Sequence, residues 1–160
     1  MQMNLMRPFR TMVLLGLWIG EFPACSSALL MSSPVSKTAD GWGVTLSQVR
    51  EGPSDYVGEG GVLVTADTGE KLIWTIVTAR NESSEEQTFS YEACVLEGKG
   101  LARRPRVVDR HEEINAAADR AEAIPAGQER TRQLIYAFPE EQRPLRMKCE
   151  NIVLPVPGPR

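Results

Sequence analysis

The chain has one histidine, His111, and three cysteines, Cys25, Cys94 and Cys149, in 160 residues. That poverty excludes much: a structural zinc site takes four ligands, more than Cys94, Cys149 and His111 supply once Cys25 is assigned to the export signal described below. His111, Glu112 and Glu113 begin like a zinc-peptidase helix, but Asn115 stands where the second histidine is needed one turn on. No strand-to-helix nucleophile elbow accompanies His111, so the sequence offers no serine triad. Gly58, Gly60 and Gly61 lie between short strand-like runs and do not open a helix, so they read as turn glycines and not as a phosphate cradle. Basic excess is also missing. The net charge of −3 gives no electrostatic case for nucleic acid. No metal, cofactor or catalytic residue is expected.

Long apolar runs are absent too. The longest begins at Met12, ends near Gly20 and is broken by Glu21 and Pro23, short of the roughly 20 residues that cross a bilayer. Arg7 and Arg10 precede it and Ala24, Ser26, Ser27 and Ala28 follow, which is the order of an export signal. The stretch Phe22, Pro23, Ala24, Cys25 resembles the lipobox of bacterial lipoproteins. That resemblance implies lipidation of Cys25 as the new amino terminus. With no acidic residue at Ser26 or Ser27, it also implies the outer membrane, facing the periplasm. Ordinary cleavage after Ala28 is the alternative, and would yield a secreted or soluble periplasmic protein. Residues 1–24 are therefore read as a signal peptide, 25–41 as a flexible tether of serines and small residues, and 42–157 as one domain.

Export gives Cys94 and Cys149 a meaning, because disulfides persist outside the cytosol. Paired, they would close a long loop whose entropy is worth roughly 4 kcal/mol. Two separate buried thiols are the alternative.

From Trp42 onward the chain alternates with period two. Trp42, Val44 and Leu46 share one side of a first strand, and Val62 to Thr65 form a short strand after a glycine-rich turn region from Glu51 to Gly61. Leu72, Trp74 and Ile76 alternate with Ile73, Thr75 and Val77, so the strand from Lys71 to Arg80 is apolar on both faces and central. Asn81 to Ser84 supply turn chemistry. Gln87 to Leu96 reads as one strand with Phe89 and Tyr91 opposite Cys94 and Leu96. Glu129 to Phe138 places Leu134, Tyr136 and Phe138 together, and alternation after Pro144 turns Leu145, Met147 and Cys149 inward. Asp109 to Ala123 breaks the pattern, and its alanines near helical spacing predict a short surface helix.

The run from Leu72 through Thr78 to Asn81, the element Cys94, Leu96, Gly98, and the segment Ile124, Pro125, Ala126, Gly127 leading to Leu134, Tyr136, Phe138 and Pro139 resemble a family of small exported bacterial proteins. These carry an immunoglobulin-like, telokin-like domain of unknown function, and many are lipoproteins. The resemblance covers about Trp42 to Leu154 and implies an all-β, immunoglobulin-like sandwich in the cell envelope. The alanine-rich insertion and the cysteine pair depart from the family.

Two functional expectations follow. One is a non-catalytic envelope lipoprotein whose sandwich contacts another, unidentified envelope protein, with a lipid as its membrane partner and no nucleic acid. The other is a small-ligand or glycan module in which Trp42, Tyr56 and the glycine-rich loop form a platform. Arg103, Arg104 and Arg106, with Lys99 and Arg110, are a possible surface for an acidic partner or anionic lipid. A solvated loop is the plainer reading of that cluster, because no aromatics interleave with it and salt screens exposed charges over ~8 Å.

Overall fold

The computed structural model describes residues 28–31, 33–58, 61–111 and 117–158. Its centre is a five-stranded antiparallel sheet in the order β1 (Val35–Ala39), β2 (Trp42–Glu51), β5 (Glu70–Asn81), β11 (Glu129–Pro139) and β9 (Val107–Arg110). Facing it is a four-stranded sheet, β13 (Ile152–Pro155), β12 (Arg146–Cys149), β7 (Cys94–Gly98) and β8 (Leu101–Arg103). The pair β10 (Ala121–Ile124) and β6 (Gln87–Ser90) extends the second layer, and a hairpin, β3 (Asp55–Val57) and β4 (Leu63–Thr65), stands apart from both. The expected β-sandwich is present.

The core lies between the layers. Trp42, Val44, Leu46, Val77, Leu134, Tyr136 and Phe138 of the large sheet meet Phe89, Tyr91, Cys94, Leu96, Met147, Cys149 and Leu154. Two phase shifts keep this alternation facing inward. A bulge between Leu46 and Gln48 adds one residue to β2, so Val49 and not Gln48 is buried. A 3-10 turn at Tyr91–Ala93 does the same between β6 and β7. Phe89 and Tyr91 therefore point the same way as Cys94 and Leu96, which a single continuous strand would have placed on opposite faces.

Other expectations also change. Residues 28–30 and 35–39 are part of the sheet and not of a tether: β1 pairs with β2 over Trp42–Leu46, Glu51 donates its N–H to the Ala28 carbonyl (2.8 Å), and Leu30 donates to Val49 (2.8 Å). Met31 is buried in the core. The described residues of the supposed helical insertion are strand, bridge and turn, since β9 pairs with β11 and β10 with β6; residues 112–116 lie outside the described residues. An alanine face buries too little to hold a helix, whereas the open edges of β11 and β6 offer ladder hydrogen bonds. Leu145 precedes β12 and is exposed, its backbone tied to Glu97 and Val156, while Met147 and Cys149 do face the core.

Cys94 and Cys149 form a disulfide that closes 55 residues. The two cysteines are direct partners across β7 and β12, their Cα atoms 4.0 Å apart, so the bond staples one sheet and does not join the layers. Two tyrosines are among the groups that bond across them. The Tyr136 hydroxyl crosses from β11 and donates to the Cys94 carbonyl (2.8 Å), and the Tyr91 hydroxyl donates to the Arg130 carbonyl (2.8 Å). At the end of β5, buried Asn81 donates to the Glu85 and Ile124 carbonyls (2.7 and 2.8 Å) and accepts from the Ser83 N–H, which makes the expected turn.

Replacing Tyr136 by Phe keeps the ring and leaves the Cys94 carbonyl without its donor. The expected result in chemical denaturation is a loss of about 1–2 kcal/mol with an unchanged denaturant slope.

Candidate functional site

The large sheet is apolar on its outer face as well, and the β3–β4 hairpin covers that region. Tyr56 and Val64, opposite each other in the hairpin, turn down onto Leu72, Trp74, Ile135, Ala137 and Val107. Tyr56 meets the Trp74 ring edge-on at 5.3 Å, and the Arg50 guanidinium lies 5.0 Å from that ring's centre. Gly52 lets the chain turn here, because a Cβ at that position would sit 2.1 Å from the indole nitrogen of Trp74.

Where the hairpin overhangs β9, it leaves a cleft of about 240 Å³. Val62, Val64, Val107 and Ala118 make its apolar walls, with Asp109 and Arg120 among its polar groups. Asp109 is placed by backbone pairing on both sides, to Gln133 of β11 and to Ala117. Only 2% of its surface is exposed, and its Oδ2 has no hydrogen-bond partner. Burial raises the carboxyl above the ordinary aspartate range.

Of the nearby cations, Arg106 is the more fully engaged. Arg106 donates to Asp67 (2.8 Å), to Glu70 (3.1 Å) and to the Thr65 carbonyl (3.0 Å), tying β9 to the end of the hairpin and the start of β5. Arg120 reaches Glu92 and the Arg106 carbonyl at 3.5 and 3.4 Å, while its own carbonyl accepts the Tyr91 N–H at 2.8 Å. Burial pushes the Tyr91 and Tyr136 phenols above the ordinary tyrosine range, and both hydroxyls are held by backbone carbonyls. Neither is placed to exchange protons with a substrate.

The residues expected to bind are dispersed. Trp42 is a core residue packed edge-on against Phe89 at 5.0 Å, and Tyr56 is buried under its own hairpin, so the two form no exposed platform. Arg103 pairs with Glu70 at 3.5 Å, Arg106 is locked as described, and Arg104 is exposed. The basic run is thus largely the cationic side of an ion-pair network. Cys25 lies outside the described residues. His111 is exposed, and among the described residues no three metal-ligating side chains converge. Asp109 escapes the sequence reading because it falls at the start of the stretch whose alanines suggest a helix. The alternation in Val107, Val108, Asp109 and Arg110 was the signal for a strand.

No family model matches the chain, and no curated protein matches it. Two solved structures share the fold. One is an uncharacterized β-sandwich protein from Clostridium difficile 630, 11% identical, with a TM-score of 0.51 over 74% of this chain and 85% of that one. The other is a functionally unknown protein from Listeria monocytogenes EGD-e, 10% identical, with a TM-score of 0.53 over 84% of this chain and 88% of that one. The likeness is one of architecture.

Because burial raises Asp109 in the folded state, the folded protein holds that proton more tightly than the unfolded chain does. Its ionisation therefore lowers stability as pH rises from the unfolded-state value through the folded-state one. Asp109→Asn is expected to stabilise the protein at pH 7 by on the order of 1 kcal/mol, with the gain vanishing in acid below the ordinary aspartate range. Thermal melts of both proteins across that pH span measure it.

Proposed function

We propose that this chain is an exported, non-catalytic envelope module of the immunoglobulin-like, telokin-like kind, anchored through a lipid on Cys25 and acting by contact with another envelope protein. The observation that carries the binding half of this reading is the outer side of the hairpin. Val57 and Leu63 oppose each other there, and they are 49% and 59% exposed. An apolar cross-strand pair facing water is a feature of contact surfaces. The buried Cys94–Cys149 bond supports export, since such bonds persist where the cytosolic reductants do not reach.

Anchoring has a geometric consequence. Only Ser26 and Ser27 separate Cys25 from Ala28, whose carbonyl is already bonded to the sheet. Three residues of chain reach at most about 11 Å. A lipidated protein would therefore hold its sandwich close to the membrane surface, and its partner would be another protein at that surface. The outer membrane facing the periplasm is the proposed place; release as a soluble periplasmic or secreted protein is the alternative. The Asp109 cleft favours a second reading, a small-ligand module of the envelope.

Two measurements test the first reading. Cys25→Ser is expected to move the protein from the membrane to the soluble fraction, and retention at the membrane would put the anchor elsewhere. A photo-crosslinking residue at position 63, in cells, is expected to give a discrete adduct that the same residue at exposed position 84 does not. Equal labelling from both positions, or none, would contradict a contact through the hairpin.

A further inference from the structure

Among the residues with a buried, partnerless side-chain atom, Asp109 is the one that also lines the cleft. Tyr56 Oη and Trp74 Nε1 also lack partners, but both sit within the packed layer between hairpin and sheet. A carboxylate oxygen in that condition costs stability, and a group that costs stability while lining a cleft is where ligand chemistry is to be sought. We infer that the cleft over Asp109 binds a small molecule carrying a primary ammonium on a short, branched aliphatic body, the ammonium donating to Asp109 Oδ2. This rests on the small-ligand reading and specifies its ligand class.

The chemistry of the walls selects the class. An orphan acceptor calls for a donor, and Asp109 accepts most strongly from a cation in a site removed from water. Val62, Val64, Val107 and Ala118 match an aliphatic body and offer a sugar ring no hydrogen bonds from their side chains. At about 240 Å³ the space is below the roughly 300–1,000 Å³ of drug-sized sites, which limits the ligand to a few carbons. A divalent cation is disfavoured, because calcium takes six to eight oxygens and one carboxylate stands among apolar walls. A simple anion has little to gain, since the Arg106 guanidinium already holds two carboxylates and a carbonyl. Arg120 is different. Its contacts at 3.4 and 3.5 Å are long and its side chain is 56% exposed, so it has donors left for a carboxylate at the rim. The same ammonium could therefore belong to a free amine or to an α-amino acid.

Calorimetric titration of the purified full chain with isopentylamine, leucine and isovalerate separates these cases. Isopentylamine is expected to bind and to raise the melting temperature, isovalerate is not, and Asp109→Asn is expected to weaken the amine at least tenfold while remaining folded. Leucine binding more tightly than the amine would assign the site to amino acids through Arg120, and leucine binding more weakly would assign it to amines; either result keeps the ammonium on Asp109. A second variant, Val62→Phe, narrows the cleft from the hairpin side without replacing the carboxyl and is expected to weaken the amine too.

The pH profile gives an independent readout. Free Asp109 holds its proton to a higher pH than usual and an ammonium needs the ionised form, so affinity is expected to tighten as pH rises from 4 to 7. Arg106 and Arg120 line the same cleft and stay charged throughout. Asp67 and Glu70, which hold Arg106, Glu92, which meets Arg120, and exposed His111 are the other ionisable groups around it, and a flat profile in Asp109→Asn removes their contribution. No binding of isopentylamine or leucine, equal binding by Asp109→Asn, or equal binding of isovalerate would overturn the inference and leave water as the partner of Oδ2. An anchored, crosslinking protein that failed this titration would lose its ligand and keep the envelope role.

Discussion

Strands β5 and β11 are apolar on both faces, so the sheet they centre has to be covered twice. Ile73, Val77, Leu134, Tyr136 and Phe138 face the second layer, and Leu72, Ile135 and Ala137 face away from it. The first cover is the four-stranded sheet stapled by the disulfide. The second is a hairpin of two three-residue strands, which lies over part of the outer face and leaves the rest to water. On the uncovered part the residues become hydroxyls: Ser36 bonds Thr45 and Thr78 bonds Thr131, each at 2.8 Å. Apolar residues where a cover exists, and polar ones where it does not, are what burial energetics require of a half-covered sheet.

The cleft follows from the same constraint. A hairpin long enough to bury Leu72 and Ile135 reaches β9, and β9 carries Asp109 on the side it overhangs. Val107 fits beneath the hairpin, whereas Asp109, two residues on and facing the same way, loses water without gaining a hydrogen bond to Oδ2. The ion pairs from Arg106 to Asp67 and Glu70 fix the hairpin's far end and the edge strand together. These pairs are partly exposed, so their value lies in setting geometry more than in stability.

Much of this was legible in the sequence. The two-faced pattern of residues 71–80 identified the central strand, and independent alternations turned Cys94 and Cys149 toward an apolar face where they do pair. What pattern reading missed are the places where alternation changes phase or where sheet pairing outweighs local preference. A bulge at β2 and a 3-10 turn after Ser90 each shift the count by one residue, and neither has a strong local signature. The serine-rich stretch before Trp42 looks like linker, yet β2 has an edge that Val35–Ala39 and Ala28–Leu30 fill. The alanine-rich stretch looks helical, yet its described ends complete two ladders. Tyr56 and Trp42 read as a surface in the sequence because aromatics often bind ligands; their large apolar area is used for packing here.

The central claim is that covering the outer face strands a carboxyl at the edge of the cover. Carbon-13 titration of the aspartate carboxyls by NMR tests it most directly. Asp109 is expected to titrate above the ordinary aspartate range in the free protein. An Asp109 that titrated within that range, or below it, would mean that its carboxyl is solvated or partnered, and the account of the hairpin and its cleft would be wrong.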